Sequence, residues 1–505
     1  MDHREQGLAG AAPHQPSAVG AGKKTTGGLL DHIDALWDVA ESGGQRRIRR
    51  RAKALALSAL ACLGRRTVTG LLSTSASQFV DWSAAYRLFA CERFDAGAVL
   101  DTVLNEVIAM QPGDAPVVAA VDDTLLRKRG RKIAGVSWRR DPLGPPFSTN
   151  FIRAQRMLQL SLALPCGGGA ARMVPVDFVH APSPTKPRRT ATTQHWRRYR
   201  EELAKSRLSL VAAQRLARLR QRMDTTADAR QRPLIAVGDG GYTNRTVLGA
   251  LPERTAFIGR VRADAKLYCL PAPPRPGQRG RRRTYGESAP TPEQIGQDDG
   301  VPWQTVRVWA TGRWHDFRIK TVAPLRWRAT GGSHDLRLVV IAPLAYRPRK
   351  GAHLLYRSPA YLICTDPAMP LHRLLQAYVW RWDIEVNLRD EKTLLGVGQA
   401  QVRTPASVQA VPALIVAAYA TLLVAAARAF GHGDRSGQLP PSKWQRALPP
   451  PRASTQDLIR QFRAELWGRA LGVANFPDFA KRQTQTAKSE NHLPNLASAV
   501  LYACA

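Results

Sequence analysis

Tyr378-Val-Trp-Arg381-Trp-Asp-Ile-Glu385-Val-Asn-Leu-Arg-Asp-Glu-Lys392 contains neither Pro nor Gly and carries apolar residues at close intervals. It reads as a helix beginning near Leu371, running to about Leu395 and stopped by Gly396. With Tyr378 at zero on a wheel of roughly 100° per residue, Arg381 falls at roughly 300°, Glu385 at roughly 340° and Lys392 at roughly 320°. A phenol, a guanidinium, a carboxylate and an amine therefore share a stripe about 60° wide. Asp383, Asp390 and Glu391 fall at roughly 140°, 120° and 220°, off that stripe. One carboxylate flanked by phosphate-binding groups suits a metal-dependent site acting on a phosphodiester; an exposed face of mixed charge is the plainer alternative.

The rest of the chain gives this helix its partners. Of 505 residues, 74 are Lys or Arg and 39 Asp or Glu, a net charge of +35. Such an excess calls for an anionic partner, and nucleic acid is the expected one, ahead of a membrane surface. The six Cys are scattered without CxxC or zinc-finger spacing, so they read as reduced thiols rather than disulfides or zinc ligands. The first 28 residues are polar, Gly-rich and basic, which predicts no signal peptide. Ala410–Ala427 is apolar enough to imitate a membrane span, but its length and Pro412 favour a buried helix.

Six segments are expected. Residues 1–27 form a disordered leader, and 28–112 a helical DNA-contacting domain. Residues 113–261 and 361–432 make the two parts of a catalytic domain, separated by a β-rich insertion at 262–360. Residues 433–505 hold a Pro-rich linker and a C-terminal helix and tail. In the N-terminal domain Arg46, Arg47, Arg49, Arg50, Arg51 and Lys53 put six cations into eight positions with no acid among them. Val117–Val121 is an apolar run expected to be a buried strand delivering Asp122 and Asp123 at its C-terminal edge. Met157–Leu164 and Met173–Val179 continue as an antiparallel meander, and a long basic helix follows over about Thr193–Met223. Leu234–Gly238 is a second buried strand ending in Asp239, followed by a short helix near Asn244–Leu251 and a strand at Ala256–Val261. This order predicts an α/β fold with one mixed sheet and flanking helices. In the insertion, Trp303, Trp309, Trp314 and Trp327 read as core tryptophans, with base stacking as the alternative. Ser454–Leu471 reads as a last amphipathic helix.

Asp123 and Asp239 each end an apolar strand, and Glu385 faces inward from a helix. Three carboxylates brought together repel unless cations neutralise them, and an all-oxygen set favours Mg²⁺ or Mn²⁺. Two such ions would clamp the oxygens of an in-line phosphoryl displacement. Neighbours on a strand point to opposite faces, so only one of Asp122 and Asp123 can be the ligand. His180 and His195 have no nucleophile partner and read as structural or DNA-facing.

Val121-Asp-Asp-Thr124, Asp239-Gly-Gly-Tyr242 and the Y-x2-R-x3-E-x6-K series from Tyr378 to Lys392 resemble the signatures of DDE transposases of bacterial insertion sequences, in the branch carrying the YREK motif. The spacings of 116 residues from Asp123 to Asp239 and 146 from Asp239 to Glu385 are similar to that branch. The resemblance implies a ribonuclease H-like catalytic domain and Mg²⁺-dependent cleavage and strand transfer at transposon ends. It implies two metal ions held by Asp123, Asp239 and Glu385, with Asp123 matching the family's Asp-Thr. Tyr378, Arg381 and Lys392 would grip phosphates, and Tyr361 stands where hairpin-forming relatives carry a base-holding Trp. The implied partners are double-stranded DNA and a second copy of the chain, in a bacterial, cytoplasmic, nucleoid-associated setting without membrane. A non-catalytic DNA-binding regulator, a decayed copy and a general nuclease are the competing expectations.

Overall fold

The computed structural model describes residues 27–502 except 41–44, 146, 274–279, 333, 350, 432–438, 440–451 and 474–494. The leader and the Pro-rich linker expected from the sequence lie almost wholly outside the described residues.

Five helices come first: α1 (Leu29–Val39), α2 (Arg46–Ala61), α3 (Val68–Thr74), α4 (Ser83–Ala90) and α5 (Ala96–Ala109). Then follow β1 (Val117–Arg127), β2 (Ser137–Arg140), β3 (Phe151–Pro165), β4 (Ala171–His180), α6 (Thr193–Lys205), α7 (Leu208–Thr225), β5 (Leu234–Gly238), α8 (Arg245–Leu248) and β6 (Thr255–Val261). The chain continues through β7 (Leu267–Tyr268), α9 (Pro292–Gln297), β8 (Gln304–Ala310), β9 (Arg313–Trp327), β10 (Leu336–Ile341), β11 (Ala345–Tyr346), β12 (Leu355–Tyr356) and β13 (Ala360–Cys364). It closes with α10 (Leu371–Trp380), α11 (Trp382–Thr393), α12 (Pro405–Phe430), α13 (Thr455–Ala470) and α14 (Leu496–Tyr502).

One eleven-stranded sheet organises the molecule, in the order β2-β3-β1-β5-β6-β13-β10-β9-β7, with β4 also on β3 and β8 on β9. The β1–β5 and β5–β6 pairs are parallel and the others in this sheet antiparallel, so the sheet is mixed. The insertion does not form a sheet of its own: β10 pairs with β13, β9 with β10, and β8 with β9, so its strands extend the central sheet. Only β11 and β12 stand apart, as a two-stranded sheet.

Strand alternation gives the sheet two distinct faces. Val117, Ala119 and Val121, with Ala236, Phe257 and Ile363, pack into the larger core under the N-terminal helices and α12. Val118, Ala120, Ile235, Val237, Ile258 and Leu362 pack on the other face, against Leu374, Leu375, Ala377 and Ile384 of α10 and α11.

α12 forms because Thr404 caps its first turn, accepting from the Ser407 amide at 3.3 Å, and Pro405 sits where a missing N–H costs nothing. It is long and apolar enough to cross a membrane, but 89% of its apolar window is buried inside the protein. Each of Leu414, Ile415, Leu422 and Leu423, almost wholly covered, contributes about 1.5–3 kcal/mol. α1, α2, α4 and α5 pack around it, so the N-terminal helices share a core with the C-terminal third of the chain.

Two helices expected as single elements are divided. The basic helix after β4 breaks between α6 and α7 at Ser206 and Arg207, where Arg207 leaves helical geometry. The Glu385 helix is interrupted at Arg381, whose carbonyl accepts from the Ile384 amide at 3.0 Å. Both sides of this interruption are fastened to the β3–β4 turn and the start of β4. The Trp380 indole donates to the Gly169 carbonyl at 2.9 Å, and the Met173 amide donates to Asp383 at 2.8 Å. Gly396, at φ +58°, supplies the left-handed residue beyond the helix end.

Candidate active site

The aspartates of β1 lie in mid-strand, not at its end, because β1 continues to Arg127 along β3. They do mark a boundary: pairing with β5 stops at Ala120 opposite Val237. Continued by two residues, that register brings Asp122 abreast of Asp239, which directly follows β5. Parallel neighbours in register share a face, and this one is the face of Val118, Ala120, Ile235 and Val237, under α10 and α11.

Asp123 points the other way. Its carboxylate accepts from the Tyr242 hydroxyl at 2.9 Å, and Tyr242 belongs to the larger core. Burial raises the pKa of Asp123, the Tyr242 hydrogen bond and Arg156 opposing it. Burial, together with Asp123 and Asp122, raises that of Tyr242, which keeps the phenol a donor.

On the α10–α11 face Arg381 sits between the acids. Its guanidinium is 3.8 Å from Asp122 and 3.2 Å from Glu385. It also lies over the Tyr378 ring, 5.8 Å from the centroid. Arg381 is buried, and its Nε makes no hydrogen bond. Burial pushes the Asp122 pKa up to about 7; the Asp123 amide and Arg381 oppose this, while Asp123 and Asp239 add to it. Partial burial lowers the pKa of Lys392, and the carboxylates of Glu391, Asp122 and Asp141 pull it back. Tyr378, Arg381, Glu385 and Lys392 thus gather on the side of Asp122.

The off-stripe acids have other work. Asp383 accepts from Met173 and from Arg452 at 3.2 Å, and Asp390 from Arg389 at 2.9 Å. Glu391 is buried, and burial pushes its pKa up to about 8 against a hydrogen bond from Gln159. Gln159 stands directly opposite Asp122 in the β1–β3 register. Glu391 and Gln159 therefore form a polar floor beside the acids, to which the buried Ser161 belongs through the Gln159 amide at 3.2 Å. This floor was not anticipated, although Gln155, Gln159 and Ser161 at alternate positions of an otherwise apolar strand are its signal.

Tyr361 is not brought to this face. It is buried on β13, with Ile363, in the larger core. Leu362 and Cys364 take the face of the acids instead, as alternation requires. Of the basic series, Arg46, Arg47 and Arg50 are exposed at the start of α2, whose first turn holds no acid. Cations there add to the positive N-terminal end of the helix dipole, so this end attracts anions, at some cost to helix stability when none is bound. Arg49 is half-buried, and Arg51 lies 3.8 Å from Asp81. His180 has its pKa pushed down to about 4, chiefly by burial, and is neutral; His195 bonds only the capping Thr192 hydroxyl, at 2.9 Å.

Asp122, Asp239 and Glu385 offer oxygen ligands alone, and Asp122 is half-buried with the Arg381 guanidinium 3.8 Å away, a set that suits a hard divalent cation. As the side chains stand, no three acids, His or Cys among the described residues converge tightly enough to hold an ion, and Arg381 engages Glu385.

A mixed sheet that presents paired carboxylates beneath a helix pair bearing Tyr378, Arg381, Glu385 and Lys392 defines a candidate DNA-cleaving α/β protein. The chain belongs to the DDE superfamily endonucleases, whose family model matches residues 31–327. That match takes in Asp122, Asp123 and Asp239 and ends before the Glu385 helix. No curated protein matches the chain.

Proposed function

We propose that this chain is a transposase of an insertion sequence, cleaving DNA at the ends of its element and joining them to target DNA. The observation that carries this reading is the placement of Asp122 abreast of Asp239 on the face that bears Tyr378, Arg381, Glu385 and Lys392. In this reading the catalytic sheet is ribonuclease H-like, and Asp122, Asp239 and Glu385 hold Mg²⁺. Asp123 keeps a supporting role through Tyr242. When bound, two Mg²⁺ ions would supply the charge that activates the attacking oxygen and stabilises the leaving one.

The chain's own residues perform the rest. Arg381 neutralises Asp122 and Glu385 in the free protein, and its guanidinium suits a DNA phosphate in the same position. Tyr378 holds the guanidinium plane, and Lys392 adds a point charge on the same side. Gln159 and Glu391 fix the strand that carries Asp122. The exposed arginines of α2 hold duplex DNA away from the site, and two ends require two copies of the chain.

The test is incubation of purified protein and Mg²⁺ with DNA carrying the inverted repeats that flank the gene. Cleavage at the repeat ends, lost in Glu385→Gln and Asp239→Asn, is the expected outcome. Salt-sensitive binding without Mg²⁺-dependent nicking would instead identify a non-catalytic DNA-binding protein, and cutting without regard to the repeats a general nuclease.

A further inference from the structure

Beyond Arg127, where β1 ends, β2 and β3 continue as a two-stranded ribbon, pairing Ser137 with Ala154 through Arg140 with Phe151. This ribbon is ordered by an internal frame. Asp141 is buried, accepts from Arg127 at 2.5 Å and from the Leu143 amide at 3.1 Å, and its own amide donates to Asn150 at 2.8 Å. On that frame the ribbon displays large apolar side chains to solvent: Trp138 is 67% exposed, Leu143 84%, Phe147 91% and Phe151 58%. Four large apolar groups exposed on one framed tip, none buried by the fold, mark a contact surface.

The charge around them selects the partner. From Arg127 to Arg153 the sequence holds eight cations and one acid, Asp141, which Arg127 already pairs. Arg129, Arg131, Lys132 and Arg140 are exposed and make no ion pair among the described residues. Apolar side chains interleaved with unpaired cations match a polyanion that also offers apolar faces. Alternation puts Phe151 and Arg153 on the same face of β3 as Gln159, the residue opposite Asp122. The distance along the strand from Gln159 to Arg153 and Phe151 is roughly 20–27 Å, or roughly six to eight base pairs of duplex.

We infer that the β2–β3 ribbon grips duplex DNA some six to eight base pairs, roughly, from the cleavage point, with Leu143 and Phe147 in a groove and the surrounding cations on phosphates. The grip rests mainly on phosphate contacts, which carry no base code, so it is expected on duplex of any sequence. The proposal rests on the DNA-cleaving reading for its choice of partner and for the distance, and its test separates the two.

The full chain carrying Asp239→Asn is titrated without metal against a fluorescein-labelled duplex of random sequence, by anisotropy at several salt concentrations. Adding Leu143→Ser and Phe147→Ser is expected to weaken binding about ten-fold, with an unchanged melting temperature because neither side chain is buried. Arg131→Ala with Lys132→Ala is expected to reduce the salt slope by about two. Affinity and slope equal to the parent's overturn the proposal. So does a change confined to oligomeric state by light scattering, which would assign the tip to a second copy of the chain. Because no cleavage enters the measurement, the ribbon proposal fails alone if the tip variant binds normally while the wild-type chain still cuts. The cleavage reading fails alone if the ribbon effect appears and the wild-type chain with Mg²⁺ does not cut.

Discussion

Two adjacent carboxyls on β1 have opposite surroundings, and the difference follows from alternation alone. Asp122 faces Arg381 and the polar floor, while Asp123 faces the Tyr242 hydroxyl. Tyr242→Phe removes that hydrogen bond from a half-buried carboxyl. A loss of about 1–3 kcal/mol is expected in urea unfolding, with DNA cleavage retained. Glu391 offers a pH test. Its pKa is about 8 in the folded chain against an ordinary 4.5, so the folded state holds the proton over a range in which the unfolded state releases it. The Glu391 contribution to stability is therefore fully present below about 4.5 and is lost as pH rises towards 8. At about 1.4 kcal/mol per pKa unit the loss is at most about 5 kcal/mol. Glu391→Gln removes the titrating group, and its melting temperature is expected to vary less than the wild type's between these limits. An equal slope in both proteins would show that another group is responsible.

Among the elements, those with strong periodicity were legible and those defined by partners were not. The apolar runs at Val117–Val121 and Leu234–Gly238 announce buried strands, and α12 announces itself by composition. The wheel position of Glu385 held through the interruption at Arg381, because that residue keeps helical backbone angles. The interruption itself depends on Trp380 and Asp383 reaching the β3–β4 turn and β4, contacts more than 200 residues away that no local pattern encodes. The same holds for the insertion, whose strands look self-contained until β13 offers them an edge. Asp122 and Asp123 could not be told apart from the sequence, since the choice depends on which sheet face receives the Glu385 helix. Lys128 ties these elements together: it is buried and donates to the carbonyls of Gly398 at 3.0 Å and Ala400 at 2.7 Å, beyond α11. Lys128→Met leaves both acceptors unpaired. A destabilisation of about 2–4 kcal/mol is expected, together with faster amide exchange over 394–402.

At the scale of the molecule, a charge of +35 and one extended sheet describe a protein shaped for a polyanion. Its DNA affinity is expected to fall steeply with salt, with a log–log slope of about −0.9 for each phosphate contacted; a flat dependence would remove nucleic acid as the partner. Arg381 links this charge to the chemistry, since it occupies the space between Asp122 and Glu385. The central claim is that the sheet joins Asp122, rather than Asp123, to Asp239 and Glu385. It is tested most directly by single-turnover cleavage of end-bearing DNA with Mg²⁺, comparing Asp122→Asn with Asp123→Asn in protein shown to be folded. The expected result is a loss of at least about a hundred-fold for Asp122→Asn, with Asp123→Asn within about ten-fold of wild type. Full activity in Asp122→Asn with collapse in Asp123→Asn would contradict it.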